Sequence, residues 1–187
     1  MTPVDVALRP AADGDADRLH ALFCMPDVYR YLADGEAPDR SITELWLERS
    51  HADFAASGVG MWILEDRAGN LAGCVRLETQ PERTAELIYA LAPQFWGAGL
   101  ATRMGWTVMQ LAFVGGHFDR IVAGADGPNT ASIAVMRRLG MKFLKTVTYP
   151  LGEGVEYVFH RGDPPPTPLP STIAFDSNRL SQKGCTT

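Results

Sequence analysis

Within a few residues of Leu91 the chain changes its hydrophobic period, and glycines mark the change. Ala85-Glu86-Leu87-Ile88-Tyr89-Ala90-Leu91 reads as a strand, and Gln94-Phe95-Trp96-Gly97-Ala98-Gly99 follows closely. From Gly99 to Val114 the apolar residues recur at helical spacing until Gly115 and Gly116 end the run. A strand that passes through a glycine turn into a helix leaves the first helical N–H groups without intrahelical acceptors. Glycine also lets a ligand approach the backbone closely. The combination makes an anion site, and its physical reading is a pyrophosphate cradle.

Three identities compete for such a loop. A P-loop requires Gly-Lys-Ser/Thr, which is absent. A Rossmann fingerprint wants a third glycine or alanine where Thr102 stands, and a motif that opens a doubly wound sheet. Asp126, after the next strand, matches the ribose-binding acid of that fingerprint, so an NAD-dependent enzyme stays among the alternatives.

The rest of the chain narrows the choice. A strand is expected over residues 4–9; Asp13 or Asp15 then caps a helix bearing Ala16, Leu19, Leu22 and Phe23, which Pro26 stops. Residues 25–40 read as a loop. A second helix starts at Ser41, with Glu44 completing a capping box, and ends before Gly58. Residues 61–66 and 71–79 form a hairpin across Arg67-Ala68-Gly69-Asn70, and residues 85–91 add a third strand. Beyond the glycine loop come a strand at 120–126, a helix at 129–139 closed by Gly140, and a strand pair at 141–149 and 155–161. The order β-α-α-β-β-β-α-β-α-β-β implies an α/β chain of α+β type. Its central sheet is mixed and mostly antiparallel, with a β-α-β crossover, and helices flank it. The stripe Met104, Val108 and Leu111 reads as core. Residues 162–187 hold five of the thirteen prolines. They are expected to form an extended or disordered tail outside the core, leaving residues 1–161 as a single domain.

Charge is informative through its distribution. Residues 1–60 carry eleven Asp and Glu against five Arg, residues 61–161 nine acids against ten bases, and the tail two against two. An acidic first third on a near-neutral remainder argues against a nucleic-acid partner and leaves room for a cationic one. Cys24, Cys74 and Cys185 form no CxxC pair or even-numbered framework. No secretory signal and no membrane-length apolar stretch is visible, so a cytoplasmic location without membrane association is expected. His20, His51, His117 and His160 are scattered, and no metal site is expected.

The third identity comes from likeness. Gln94, Gly97 and Gly99 stand at the defining positions of a segment that resembles the Q/R-x-x-G-x-G/A signature of the GNAT superfamily of acetyl-CoA-dependent N-acetyltransferases. ADGPNTASIAVMRRLGMKF is similar to the second signature of that family, and LRPAADGDADRLHALFCMPDVYRYL resembles the opening of its ribosomal-protein alanine N-acetyltransferase branch. The likeness spans residues 6–161 and implies the single-domain GNAT fold. It implies that backbone amides of Gly97, Ala98, Gly99, Leu100, Ala101 and Thr102 hold the coenzyme A pyrophosphate. Asn129 would reach the pantetheine arm, although its side chain equally serves as a helix N-cap. Phe95 and Trp96 are read as packing the loop.

Acetyl transfer from a thioester to an amine sets three tasks. The acceptor ammonium must lose a proton, for which the resemblance points to Glu86 acting through water. The developing oxyanion needs a donor, for which a splayed strand at Tyr89, Ala90 and Leu91 offers a backbone N–H. The departing thiolate benefits from an acid. The family's usual tyrosine is replaced by Met136, and Ser132 stands where the ribosomal-protein branch substitutes a serine. Tyr149 and Glu153 are second choices. No cysteine lies in the two motifs, so direct transfer in a ternary complex is expected.

An acceptor groove is implied between the connection of the first two helices and the loop of the last two strands. The first carries Asp27, Tyr29, Arg30, Tyr31, Asp34, Glu36 and Asp39, the second Glu153 and Glu156. Tyr29, Tyr31 and Glu153 are the candidate acceptor contacts. Such a rim suits a small-molecule amine or a peptide N-terminus, and equally reads as ordinary polar loops. A second copy of the chain is a candidate partner. Met136 also keeps open a catalytically weak acyl-CoA-binding or regulatory module.

Overall fold

The computed structural model describes residues 5–176. Strand β1 (Val6–Pro10) leads through a 3-10 turn at Asp13–Asp15 into helix α1 (Ala16–Phe23), which buries Leu19, Leu22 and Phe23. Two expectations change here. Asp15 does not cap α1; its carboxylate accepts the Ala12 N–H at 2.9 Å and pairs with Arg9. Pro26 does not end the helical region but opens α2 (Pro26–Leu32), because proline at the first helical position lacks only an N–H that no intrahelical acceptor would use. Helix α3 (Arg40–Ser57) starts one residue before Ser41 without a capping box, and Glu44 accepts from Arg40 Nε at 2.9 Å instead. Gly58, at φ +72°, ends it.

Strands β2 (Met61–Asp66) and β3 (Leu71–Gln80) form the expected hairpin, tied by Asp66 Oδ1, which accepts the Ala68 and Asn70 N–H groups. Strand β4 (Thr84–Leu91), helix α4 (Leu100–Val114), β5 (Arg120–Asp126), α5 (Thr130–Arg138), β6 (Lys142–Tyr149) and β7 (Gly152–His160) follow, and β8 (Ala174–Phe175) closes the described chain. One eight-stranded sheet runs β6-β7-β5-β4-β3-β2-β1-β8, antiparallel except at β4·β5 and β1·β8. On one face α4 and α5 set Leu100, Met104, Val108 and Met136 against Trp62, Leu64, Val75 and Leu87. On the other, α1 to α3 set Leu19, Phe23, Val28 and Leu47 against Met61, Ile63 and Cys74. Successive residues of β2 thus feed opposite cores, which is why that strand is apolar almost throughout. Leu111, expected in the core, is 38% exposed; the buried face of α4 passes from Val108 and Met109 to Ala112 instead.

The proline-rich segment departs furthest from expectation. Residues 163–176 run extended but do not stay outside the core. Ile173 is buried with the residues of α4 and the sheet, and β8 pairs with Ala7 and Leu8 of β1. Proline disfavours helix; it does not prevent an extended segment from docking one apolar side chain and a short edge strand. Residues 177–187, with Cys185 and the end of the expected tail, lie outside the described residues.

Candidate active site

Strands β4 and β5 pair only from Thr84↔Arg120 to Glu86↔Val122, while β4 continues against β3 as far as Leu91. Beyond Glu86 the two central strands therefore part, and a cleft of about 960 Å³ opens there. The Ala92 N–H donates to Ala72 C=O at 3.0 Å, and antiparallel alternation then turns the N–H and C=O of Tyr89 and Leu91 away from β3 and into the gap. Trp96 Nε1 donates to the Leu91 C=O at 2.8 Å and pins the loop to the strand, but the residue is 51% exposed and lines the cleft instead of packing as expected.

Gly97 and Gly99 adopt φ of +76° and +73°. A Cβ at either would meet nothing within 4 Å, so backbone conformation, not crowding, selects glycine here. Gly99 caps α4 without a side-chain acceptor, which leaves the first-turn N–H groups for a ligand. Gly97, Gly99, Leu100, Ala101 and Thr102 line the cleft, as do Ala90 and Leu91. Gln94 is exposed outside that lining, and Ala98 packs on the core. Arg103 lines the cleft with its Nε buried and without a hydrogen-bond partner among the described residues, and Arg137 and Arg138 share the wall. Open space over two glycines, free helical donors and cationic side chains fit an elongated anionic group such as coenzyme A.

The facing wall belongs to α5. Asn129 Oδ1 accepts the Ser132 N–H at 3.1 Å and so caps the helix. Ser132 Oγ lies 2.7 Å from Tyr89 Oη, joining α5 to β4 through two hydroxyls. Burial, only partly offset by the Ser132 hydrogen bond, pushes the Tyr89 phenol up to about 12. Met136 is fully buried.

At the crotch of the strands sits Glu86, which accepts from Gln80 Nε2 at 3.3 Å. Burial and the nearby Glu156 raise its pKa against the counter-pull of Arg76. Tyr149 Oη lies over Gly124, where a Cβ would stand 2.0 Å from it. Burial and the charges of Glu156, Glu86 and Asp126 push that phenol up to about 12. Sequence reasoning did not single out Arg76, and it weighed Asp126 only as a ribose acid. Arg76 of β3 is buried 5.6 Å from the centre of the Trp46 ring; its Nη2 donates to Glu78, while Nε and Nη1 are unpartnered among the described residues. Asp126 is buried with Oδ1 unpartnered among the described residues, its pKa raised by burial and by the charge of Asp34. The one legible signal was an arginine inside the otherwise apolar Leu71-Ala72-Gly73-Cys74-Val75-Arg76-Leu77 run.

Of the acceptor candidates, Tyr31 lines the cleft beside Asp27. Tyr29 lies outside the lining and is half-buried, and Glu153 is exposed, giving only its C=O to the Gly127 N–H at 3.0 Å. Neither Cys24 nor Cys74 lines the cleft, and burial pushes the Cys74 thiol up to about 12. Among the described residues no group of three or more His, Cys, Asp or Glu side chains could hold a metal ion, and no helix is long and apolar enough to cross a membrane.

The acetyltransferase (GNAT) domain family matches residues 5–142. The chain belongs to that family. The uncharacterized protein YkkB of Bacillus subtilis (strain 168) is 30% identical over 147 residues, covering 76% of this chain and 84% of YkkB. Solved structures share the fold. A ribosomal L7/L12 alpha-N-protein acetyltransferase, RimL, in complex with coenzyme A gives a TM-score of 0.72 at 20% identity, over 84% of this chain and 96% of that one. Spermidine N-acetyltransferase from Vibrio cholerae, in complex with CoA and spermine, gives 0.70 at 17% identity over the same shares, 84% and 96%. A GNAT sheet is not doubly wound, and the antiparallel β2, β3 and β4 ahead of the glycine loop remove the dinucleotide alternative.

Proposed function

We propose that this GNAT protein moves an acetyl group from acetyl-CoA to a primary amine, by direct transfer in a ternary complex. The observation that carries the reading is the parting of β4 and β5 onto a glycine-capped helix, with a half-buried carboxylate at the crotch. Acetyl-CoA supplies the activated thioester when bound. The amides of residues 97 and 99–102 hold its pyrophosphate, and Asn129 and the N–H groups of Tyr89 and Leu91 orient the arm and the carbonyl oxygen. Glu86, raised toward neutrality, takes the ammonium proton through water, so that the amine nitrogen can bond to the acetyl carbon as the carbon–sulfur bond breaks. The proton that the nitrogen sheds on forming the amide passes by way of the Ser132 hydroxyl, tied to Tyr89, to the departing sulfur, so the serine ends as it began.

The acceptor is a cation, either a small-molecule amine or a peptide N-terminus. Glu86, Glu156 and Asp126 surround Tyr149 beside Gly124; the carboxylates offer the cation negative charge, and the neutral phenol offers an acceptor oxygen. Among the structural neighbours are proteins named for spermidine, aminoglycoside and ribosomal-protein acetylation, all of them amine substrates. A second reading, a binding module without turnover, draws on the burial of Met136 where the family's acid stands. The Tyr89–Ser132 hydroxyl pair supplies a substitute for that acid. Purified protein given acetyl-CoA with a panel of polyamines, aminoglycosides and N-terminal peptides should release free thiol with at least one acceptor. Binding of acetyl-CoA with no thiol release across the panel would establish the binding module instead.

A further inference from the structure

The far wall of the cleft is built by the chain's own proline-rich segment. Residues 166–170, Pro-Thr-Pro-Leu-Pro, line the same cavity as the α4 N-terminus and α5. Both ends of this strap are anchored. Behind it, Asp163 accepts the His160 N–H at 2.8 Å and pairs with Lys142. Pro166 packs on the turn after α5, where a Cβ on Gly140 would stand 3.3 Å from Pro166 Cβ. Ahead of it, the Ile173 N–H donates to Thr107 Oγ1 at 2.9 Å, Ile173 is buried, and the Asp176 N–H donates to Leu8 C=O at 2.8 Å. Between the anchors five of the seven residues 164–170 are proline, so φ is fixed along most of the span and little chain entropy remains to be lost when a ligand docks. Leu169, at the middle of the lining stretch, is nevertheless 62% exposed.

Position along the cleft says which part of a ligand meets this wall. Glu86 and Tyr89 mark one end and the glycine loop lies between. The strap sits past the C-terminus of α5, whose nine residues span about 13 Å beyond Asn129 at 1.5 Å per residue. Arg103, whose Nε has no partner among the described residues, and Arg138 line the same volume. An exposed leucine on a proline frame beside arginines suits a flat heteroaromatic ring carrying phosphates. We propose that residues 166–170 form a nucleotide-binding wall for acetyl-CoA, with Leu169 against the base, and thereby set cofactor affinity and not the rate of transfer. This inference rests on the reading of the cleft as an acetyl-CoA site.

Leu169→Glu and Leu169→Ala test it, and the exposure of Leu169 leaves the fold intact in both. Calorimetric titration of the full chain with coenzyme A and with adenosine 3′,5′-bisphosphate is the primary readout. Loss of apolar cover, plus repulsion of phosphate by the new carboxylate, should weaken both ligands about tenfold in Leu169→Glu and about threefold in Leu169→Ala. The KM for acetyl-CoA should rise in parallel while kcat at saturation holds. Wild-type affinity for both ligands in Leu169→Glu would overturn the wall. Failure of the unaltered protein to bind coenzyme A at all would instead overturn the cofactor reading beneath it.

Discussion

Two buried charge clusters lie on different parts of the sheet, and they are built in opposite ways. Beside β1, Arg9 holds Asp15 with both outer nitrogens at 2.7 Å and Glu65 through Nε at 2.8 Å, while Arg18 adds a contact to Glu65 at 2.7 Å. Burial alone would raise both carboxyls, but the hydrogen bonds and charges of Arg9 and Arg18 outweigh it and leave them below their ordinary values. Beside β5, burial wins: Glu86 and Asp126 are raised, and Arg76 and Asp126 keep buried polar atoms without partners among the described residues. The opposite pairing teaches that the first cluster is closed upon itself and structural. The second keeps polar atoms unpaired among the described residues and shifted carboxyls beside the cleft, the pattern of a site that binds and not of a brace.

Breaking the closed cluster should give the largest effect. Arg9→Met leaves two buried carboxylates to the part-exposed Arg18 alone and should cost about 3 kcal/mol, lowering Tm by about 10 °C in a chain of this size. Because the folded values of Asp15 and Glu65 are depressed, their stabilisation is complete above the ordinary carboxylate pKa of about 4 and is lost as pH falls through the folded values. Acid denaturation monitored by circular dichroism should therefore lose that component in the variant. An unchanged Tm would show that the cluster contributes nothing net.

The same kind of substitution in the open cluster should spare the fold and damage the chemistry. Glu86→Gln is expected to lower kcat about a hundredfold with little change in Tm. In the unaltered enzyme the rate should fall on the acid side of a limb lying above the ordinary carboxylate range, since burial raises Glu86. Arg76 opposes that rise, so Arg76→Met should move the limb to higher pH, and Glu86→Gln should abolish it. A limb that stays in place in Arg76→Met would separate it from Glu86.

A smaller effect is expected where the open cluster meets α5. Ser132→Ala and Tyr89→Phe should each reduce kcat about tenfold, and the double variant should be no slower than the worse single one if the hydroxyls act as a unit. Multiplicative losses in steady-state kinetics would show two independent roles.

What was legible in the sequence follows from how local its cause is. Gly97, Gly99 and Asn129 are set by backbone conformation within one turn and all three line the cleft; the glycine turn was legible from the change of period, Asn129 from the family likeness and its place at a helix start. Pro26 was misread because proline both stops and starts helices, and only its position relative to the following residues separates the two. Ser41 with Glu44 satisfied the pattern of a capping box, yet Arg40 claimed the glutamate. The strap was misjudged for a tertiary reason: one buried isoleucine and a short edge pairing decide its path, and neither leaves a periodic trace. Arg76 and Asp126 are decided by what they lack, which depends on strands far apart in sequence.

The smallest effect is the one that most sharply separates the two clusters. Asp126→Asn removes a carboxylate whose ionised form is disfavoured in the folded state, while keeping its size and an acceptor oxygen. A raised folded pKa means that ionisation costs stability as pH rises through it, so the amide should be more stable than the acid at neutral and alkaline pH, by about 0.5 kcal/mol or 1–2 °C in Tm. Below the ordinary carboxylate range Asp126 is neutral in both folded and unfolded chains, and the gain should vanish. Asp15→Asn should do the reverse, losing stability at neutral pH because its charge is what Arg9 holds. If the amide at position 126 is also more stable yet raises the acceptor KM, the carboxylate is kept at a cost in stability for the cation it receives. Destabilisation by Asp126→Asn at pH 8, read by thermal melting, would place Asp126 in a closed network of its own and remove the contrast.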